Sequence, residues 1–188
     1  LGSSSTYVRG AIGGLNGRRL KQHDVVPLKL AGVDVRTEHA LPRPLDLALD
    51  QPIRVVLGPQ ADYFADDALK TFLSSDYTVS PQADRMGYRL AGPALAHAKG
   101  YDIVSDGIVA GSIQVPGSGL PIVLMVDHQT IGGYPKIATV ISADIPIVGR
   151  RRPGQPIRFV AVDVREAERL RREQEAALRQ ELEILVDV

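Results

Sequence analysis

Residues 127–136 concentrate side chains that can do chemistry. The segment carries a carboxylate, an imidazole, an amide, a hydroxyl, a phenol and an amine around the consecutive glycines Gly132 and Gly133. Carboxylates accept protons and hydrogen bonds, ammonium groups stabilise negative charge, and glycines let backbone N–H groups approach a ligand closely. The pattern indicates a binding or catalytic site; a solvated turn between two strands is the alternative.

Two apolar runs flank this segment and must position it. Residues 113–126 precede it and residues 137–144 follow it, and both runs are rich in β-branched residues and bounded by Gly and Pro. Such runs are typical of strands, and the Pro-Gly-Ser-Gly sequence at 116–119 predicts a hairpin turn. We therefore predict that rigid strands hold the polar segment.

A second polar connection lies earlier in the chain. Short strands are predicted at 77–80 and 86–90, and Asp84 and Arg85 fall between them. Adjacent opposite charges are commonly an exposed turn pair, and the alternative places them at the edge of the site.

Composition excludes several classes of function. The chain has 188 residues with 22 basic and 22 acidic side chains, so no global charge favours nucleic acid or an anionic membrane. It has no cysteine, and its four histidines never fall at the spacing of metal ligands, so no metal site is expected. Without a long apolar run or a signal peptide at its start, a cytoplasmic location is predicted.

The remaining patterns predict a mainly β fold, a barrel or a sandwich. A helix is expected at 62–73, a loop with three solvated arginines at 146–155, a strand at 156–162 and a long helix from Asp163. Residues 29–52 mix charges and prolines without periodicity, which is typical of a connection between two structural units.

Three segments carry a specific resemblance. Residues 85–90, 111–116 and 127–138, in their order and spacing, closely resemble the biotin-dependent carboxyltransferase family. That family includes proteins named allophanate hydrolase subunit 2, the C subunit of 5-oxoprolinase and the kinase-inhibitor antagonist KipA. The resemblance spans essentially the whole chain. Two departures stand out, because Ile131 replaces a second threonine and 117–120 replace a more usual Pro-Asp/Asn-Gly-Gln type of turn.

The resemblance implies tandem cyclophilin-like β-barrels. Residues 1–28 would then end a truncated first barrel, residues 29–52 would be a linker, and residues 53–188 would form the second cyclophilin-like β-barrel with a short helix and a C-terminal α-helix.

The resemblance also implies work on a small amide substrate. In urea carboxylase the carboxyltransferase domain moves a carboxyl group from biotin to a urea nitrogen, and bacterial 5-oxoprolinase opens a lactam, 5-oxoproline, to glutamate with ATP. Asp127 and Lys136 are then the predicted catalytic residues. The predicted substrate-binding residues are Asp84, Arg85, Tyr88, Gln114, Gln129, Thr130, Gly132, Gly133 and Tyr134. For each of them the alternative is structural: a strand cap, a core ring or a tight turn.

Cofactors and partners are expected to come from outside the chain. It has neither a nucleotide-binding loop nor a biotinylation signature, so ATP is expected at the level of a complex and biotin on a separate carrier. The family implies a partner like allophanate hydrolase subunit 1, which corresponds to the B subunit of 5-oxoprolinase, and a second partner like the A subunit of that enzyme. The chain would then be a non-autonomous subunit of a 5-oxoprolinase-type hydrolase or of a biotin-dependent carboxyltransferase. The alternatives are a regulatory module that antagonises a kinase inhibitor and a barrel without a site.

Overall fold

The chain divides into two compact units. The computed structural model describes residues 4–28, 32, 38–42 and 47–187. One unit comprises Leu1–His39 with Asp187–Val188, and the other comprises Ala40–Val186. Much of the predicted linker, residues 29–31, 33–37 and 43–46, lies outside the described residues, as do residues 1–3 of the predicted first barrel. The proposed domain limits therefore stay a prediction, and every candidate site residue belongs to the second unit.

The first unit contains a small antiparallel ribbon. Its strands are β1 (Thr6–Tyr7) and β2 (Ile12–Gly13), joined through a 3-10 turn at Val8–Gly10. Beyond the ribbon, Arg18 donates two hydrogen bonds of 2.7 Å to the carboxylate of Asp24.

The remaining strands are short. They are β3 (His39–Ala40), β4 (Ile53–Leu57), β5 (Tyr77–Val79), β6 (Gly87–Ala91), β7 (Asp106–Gly107), β8 (Ser112–Gln114), β9 (Ile122–Leu124), β10 (Ile131–Gly132), β11 (Lys136–Val140), β12 (Pro156–Ile157), β13 (Phe159–Ala161) and β14 (Val186–Asp187). The helices are α1 (Asp66–Ser74), α2 (Ile145–Gly149) and α3 (Val164–Glu183), with 3-10 turns at Ala61–Tyr63 and Ser142–Asp144.

Eight strands of the second unit form one nearly closed sheet in the order β12-β5-β6-β9-β8-β11-β4-β13. The two edge strands, β12 and β13, are separated in sequence only by Arg158. One short segment therefore pairs with β5 through Pro156–Ile157 and with β4 through Phe159–Ala161. Because one piece of chain supplies both edges, the sheet curls back on itself, and the prediction of a mainly β barrel is confirmed.

The barrel encloses an apolar core. Ile113 and Val115 are fully buried in it, and the rings of Phe72 from α1 and Phe159 from β13 stack with centroids 4.6 Å apart. Successive side chains of a strand point to opposite faces, so Gln114 lies on the face turned away from Ile113 and Val115. Gln114 is therefore a candidate residue on the outer face, whereas Tyr88 packs against the core.

The predicted loop at 146–155 is wrong in two respects. Residues Ile145–Gly149 form α2, whose second residue, Pro146, is tolerated because it lies in the first turn. The arginine run is not a uniformly solvated face, because Arg151 is only 6% exposed. Its guanidinium donates to the backbone carbonyls of Gln51 and Pro156, and burial lowers its pKa.

Both predicted helices form, and the start of the first differs from the prediction. The first begins at Asp66, because Ala65 is extended and residues Ala61–Tyr63 form a separate 3-10 turn. The second begins where expected, since the carboxylate of Asp163 accepts the backbone N–H of Glu166 at 2.8 Å. No residue of α3 is buried. In the part of the chain that the structure describes, no helix is both long and apolar enough to cross a membrane.

Candidate functional site

Lys136 is the most unusual side chain of the candidate site, because its charge is almost completely buried. It opens β11 and pairs in register with Gln114 of β8, and the register of the two strands shifts between Lys136 and Ala138. Its side chain is 6% exposed, and its Nζ lies 2.6 Å from the Oδ2 atom of Asp106. Such a shift in register re-aims a side chain, and here it accompanies a buried ammonium on the outer face of the barrel.

Gln60 connects the backbone of Lys136 to the carboxylate of Asp106. Its Oε1 accepts the N–H of Lys136 at 3.2 Å, and its Nε2 donates to Asp106 Oδ2 at 3.2 Å. Gln60 follows β4 through Gly58, where an added Cβ would lie 2.2 Å from the carbonyl oxygen of Lys136. A glycine at position 58 therefore lets this segment pass close to the start of β11.

Asp106 is the exposed partner of the pair. Its side chain is 51% exposed, and its Oδ1 accepts the backbone N–H of Gly107 at 2.8 Å. The Lys136 ammonium, then the Gly107 N–H and the Gln60 amide, hold the pKa of Asp106 below its ordinary value of 3.8. The carboxylate therefore stays ionised at neutral pH and can accept further hydrogen bonds.

Gly132 brings the polar loop over the side chain of Gln114. It belongs to β10, which pairs with β7 so that Gly132 stands opposite Asp106. An added Cβ at Gly132 would lie 2.6 Å from Gln114 Nε2 and 2.4 Å from Ile108 Cδ1, so no larger residue fits without a shift. Gln114 Nε2 also donates to the carbonyl of Tyr134 at 3.3 Å. These contacts connect the outer face of the sheet to the two-stranded sheet that β7 and β10 form.

A second group of predicted residues surrounds Asp127. Arg85 donates to both carboxylate oxygens of Asp127, at 2.8 and 3.1 Å, and this hydrogen-bonded pair lowers the pKa of Asp127. Asp84 Oδ1 accepts the backbone N–H groups of Met86 and Gly87, and so fixes the turn before β6. The hydroxyl of Tyr88 donates to the carbonyl of Gly149 at 3.2 Å.

The other predicted residues contact the rest of the site through backbone hydrogen bonds. The carbonyl of Thr130 accepts the N–H of Ile108 at 3.0 Å, and the carbonyl of Gly133 accepts the N–H of Ile103 at 2.8 Å. The side chain of Thr130 is exposed, as are those of Gln129, Ile131 and Tyr134.

The structure thus separates the predicted residues into two groups. One group joins Lys136, Gln114 and Gly132 with Asp106 and Gln60, which the sequence patterns did not single out. The other pairs Arg85 with Asp127, while the side chains of Asp84 and Tyr88 nearby in sequence bond to backbone groups. Within the described residues, no hydrogen bond or ion pair links Asp127 to Lys136.

The residues missed from the sequence left only weak signals. Gln60 directly follows a glycine and a proline that end a buried strand, and Asp106 lies in a run flanked by apolar residues. Each is a single polar residue in a segment remote from 127–136, so neither forms a recognisable motif.

The chemistry available to the first group is electrostatic. A desolvated ammonium beside a backbone glycine and a carboxamide can hold a carbonyl oxygen and stabilise negative charge that develops there. Over residues 4–28, 32, 38–42 and 47–187, no three His, Asp or Glu side chains are placed so that they could hold a metal ion.

Comparisons with known proteins agree on the family to which the chain is similar. A model of the family "carboxyltransferase domain, subdomain A and B" matches residues 1–161. The chain is 38% identical over 175 residues to the C subunit of 5-oxoprolinase from Escherichia coli (strain K12), which covers 93% of this chain and 56% of that protein. It is 39% identical over 184 residues to the C subunit of 5-oxoprolinase from Haemophilus influenzae, covering 96% of this chain and 57% of that protein.

A solved structure shows the same fold. The Kluyveromyces lactis urea carboxylase superposes with a TM-score of 0.78 at 28% identity, over 96% of this chain and 18% of that one. The chain spans slightly more than half the length of the 5-oxoprolinase C subunits that it matches. On the family model and these two relatives, the chain belongs to the carboxyltransferase domain family, subdomain A and B.

Proposed function

We propose that this chain supplies the amide-binding site in one component of a 5-oxoprolinase-type enzyme, and that it opens the lactam 5-oxoproline to glutamate together with partner subunits. The observation that carries the proposal is the buried ammonium of Lys136, paired with Asp106 beside Gln114 and Gly132, in a chain similar to two proteins named as C subunits of 5-oxoprolinase. A lactam carbonyl needs a group that stabilises negative charge on its oxygen during attack.

In this proposal Lys136 holds the carbonyl oxygen of the amide. Gln114 and the backbone of Gly132 line the same place, as their mutual contact indicates. Asp127 is the second proposed catalytic residue. Its lowered pKa keeps it ionised, so its proposed part is to accept a hydrogen bond from the substrate, oriented by Arg85. Asp84, Tyr88, Gln129, Thr130, Gly133 and Tyr134 complete the proposed substrate-binding set.

ATP and the partner subunits belong to the same proposal. ATP would be bound by an assembly with a B-type and an A-type partner, because the sequence of this chain has no nucleotide-binding loop.

Carboxyl transfer to a urea-like amide is the second candidate. Its support is the likeness over 96% of the chain to a structure named urea carboxylase. Both candidates use the same polarisation of an amide carbonyl. They differ in whether the amide bond is opened or its nitrogen receives a carboxyl group from biotin on a separate carrier.

The test is turnover by a reconstituted complex. The full-length protein would be combined with its A-type and B-type partners, and conversion of 5-oxoproline to glutamate would be followed with and without ATP. We expect turnover only with all three proteins and ATP, and a loss of about 10²–10³-fold in kcat for Lys136→Met, as for the removal of other charge-stabilising donors. The Asp127→Asn variant should also lose activity.

Lys70→Met is the matched control, since Lys70 lies exposed on α1, where its ion-pair partner is Asp67 of the same helix. It should retain full turnover. A stable complex without turnover of 5-oxoproline would contradict the first candidate, and carboxylation of urea by that complex would establish the second. Full activity of Lys136→Met would refute the site itself.

A further inference from the structure

The ammonium of Lys136 has hydrogen-bond donors to spare. A lysine ammonium carries three N–H donors. In the described part of the chain its hydrogen-bond acceptor is Asp106 Oδ2, at 2.6 Å, although the side chain is only 6% exposed. Buried donors without acceptors are costly, so the two remaining N–H groups favour an acceptor from a bound molecule.

The carboxylate of Asp106 has the complementary capacity. Its Oδ2 accepts from Lys136 and Gln60, while the donor to its Oδ1 among the described residues is the N–H of Gly107. A carboxylate oxygen has two lone pairs, and the side chain is half exposed, so Oδ1 can accept one more hydrogen bond from a ligand. An N–H donor of Lys136 and the acceptor Oδ1 of Asp106 are therefore both available to a ligand, side by side.

This arrangement matches one class of amide. In a lactam ring or in urea, an N–H and the C=O lie on the same side of the C–N bond, so one edge of the molecule offers a donor next to an acceptor. In a trans amide the N–H and the C=O point in opposite directions. We infer that Lys136 and Asp106 together bind the edge of a cis amide, with the C=O accepting from Lys136 Nζ and the N–H donating to Asp106, and that they discriminate against trans amides.

Gln60 is the positioning residue of this pair. It accepts from the backbone of Lys136 and donates to the carboxylate of Asp106, so it fixes the carboxylate relative to the first residue of β11. Loss of that bridge leaves Asp106, on the exposed β7 strand, held by Gly107 and by the ammonium itself. The inference rests on the proposed function, because it assumes that this site takes a small amide.

Three small probes test the inference by binding to the full chain. 2-Pyrrolidinone presents the N–H and C=O on one edge, N-methyl-2-pyrrolidinone keeps the ring but lacks the N–H, and N-methylacetamide has the N–H and C=O in the trans arrangement. Binding would be followed by the backbone amide signals of Gly107 and Lys136 in nuclear magnetic resonance titrations. We expect 2-pyrrolidinone to bind roughly tenfold or more tightly than either of the others, because each of them loses a hydrogen bond to a charged group.

Variants assign the preference to the named residues. Asp106→Ala should bind 2-pyrrolidinone and its N-methyl analogue equally, and Gln60→Ala should reduce the preference while retaining binding of both. Asp102→Ala is the matched control, since Asp102 is an exposed aspartate four residues before Asp106, and it should keep the wild-type preference.

Several results would overturn the inference: equal binding of the three probes by the wild type, no binding of any of them, or an unchanged preference in Asp106→Ala. The proposed function fails separately. A reconstituted complex without turnover, in a chain that keeps the probe preference, would refute the function alone. Turnover without the preference would refute only the recognition of the amide edge.

Discussion

Two charged pairs in the second unit, each with one buried member, differ in how fully the hydrogen bonds of that member are satisfied. The carboxylate of Asp144 is fully buried and accepts from Arg54 through the backbone N–H at 2.7 Å, Nε at 3.0 Å and an NH2 nitrogen at 2.5 Å. Lys136 is buried to a similar degree, but among the described residues its ammonium has one acceptor, and that acceptor, Asp106, is half exposed.

The difference separates a structural pair from a candidate site. Asp144 receives three hydrogen bonds from one residue of β4, so it anchors the 3-10 turn at Ser142–Asp144 to the sheet and leaves little room for a ligand. The ammonium of Lys136 is shielded from water, but not all of its N–H groups have acceptors, and this favours binding of a further hydrogen-bond acceptor. Counting hydrogen bonds therefore distinguishes the two pairs, whereas burial and charge do not.

The largest expected effect on stability comes from the pair of Arg54 and Asp144, whose carboxylate accepts three hydrogen bonds. In Asp144→Ala the guanidinium of Arg54, which is 29% exposed, and its backbone N–H lose their charged acceptor, and a hydrogen bond to a charged group is worth about 1.5–3 kcal/mol. We expect the free energy of unfolding to fall by roughly that amount in urea denaturation followed by circular dichroism.

An exposed pair provides the control for this measurement. Asp76 and Arg158 are also joined by two hydrogen bonds, at 2.7 and 2.8 Å, but both side chains are more than half exposed. Asp76→Ala should leave the urea midpoint nearly unchanged. Equal losses in the two variants would contradict the distinction between buried and exposed pairs.

Removal of Lys136 should have a much smaller effect on stability. In Lys136→Met an apolar chain of similar length replaces the ammonium, and the remaining partner, Asp106, still reaches water. Replacing a buried charge without stranding another one is commonly neutral or stabilising. The urea midpoint of Lys136→Met should therefore equal or exceed that of the wild type, although we expect this variant to lose activity in the complex.

A fall in stability as large as that of Asp144→Ala would show that Lys136 is a structural residue. The distinction between the two pairs would then be wrong, and the proposed site would lose its main support. The measurement needs only the purified chain, without its partners.

Much of the fold was predictable from local sequence patterns. The β-branched runs around 127–136 became β8, β9 and β11, and Asp163 capped the terminal helix as predicted. Local patterns failed where burial depends on remote partners. Arg151 looked solvated because it stands among other arginines, yet a carbonyl 100 residues away in the sequence accepts its guanidinium.

The same reason limits prediction of the candidate site. Lys136 and Gly132 stood out because they belong to the polar segment 127–136, and Gln114 stood out because it belongs to a segment that carries the family resemblance. Asp106 and Gln60 did not, because they reach Lys136 across 30 and 76 residues of sequence. Asp127 and Lys136 stand at the two ends of the polar segment, and their side chains contact different partners, Arg85 and Asp106.

The smallest expected effect is the pH dependence of the Asp106 pair. The Lys136 ammonium, the Gly107 N–H and the Gln60 amide lower the pKa of Asp106 from its ordinary value of 3.8. Because the folded pKa lies below the unfolded one, the stabilisation is fully present above the unfolded pKa and is lost as the pH falls through the folded pKa. The stability difference between the wild type and Asp106→Asn should thus be constant from about pH 5 to 8 and shrink only below about pH 4.

Urea midpoints of both proteins across that range measure the difference. A change centred above pH 5 would require a group other than Asp106. A half-exposed carboxylate should give a small change in the stability difference that occurs only at acid pH, because water already satisfies part of its hydrogen-bonding capacity. The same residual capacity leaves Asp106 able to accept an N–H from a ligand.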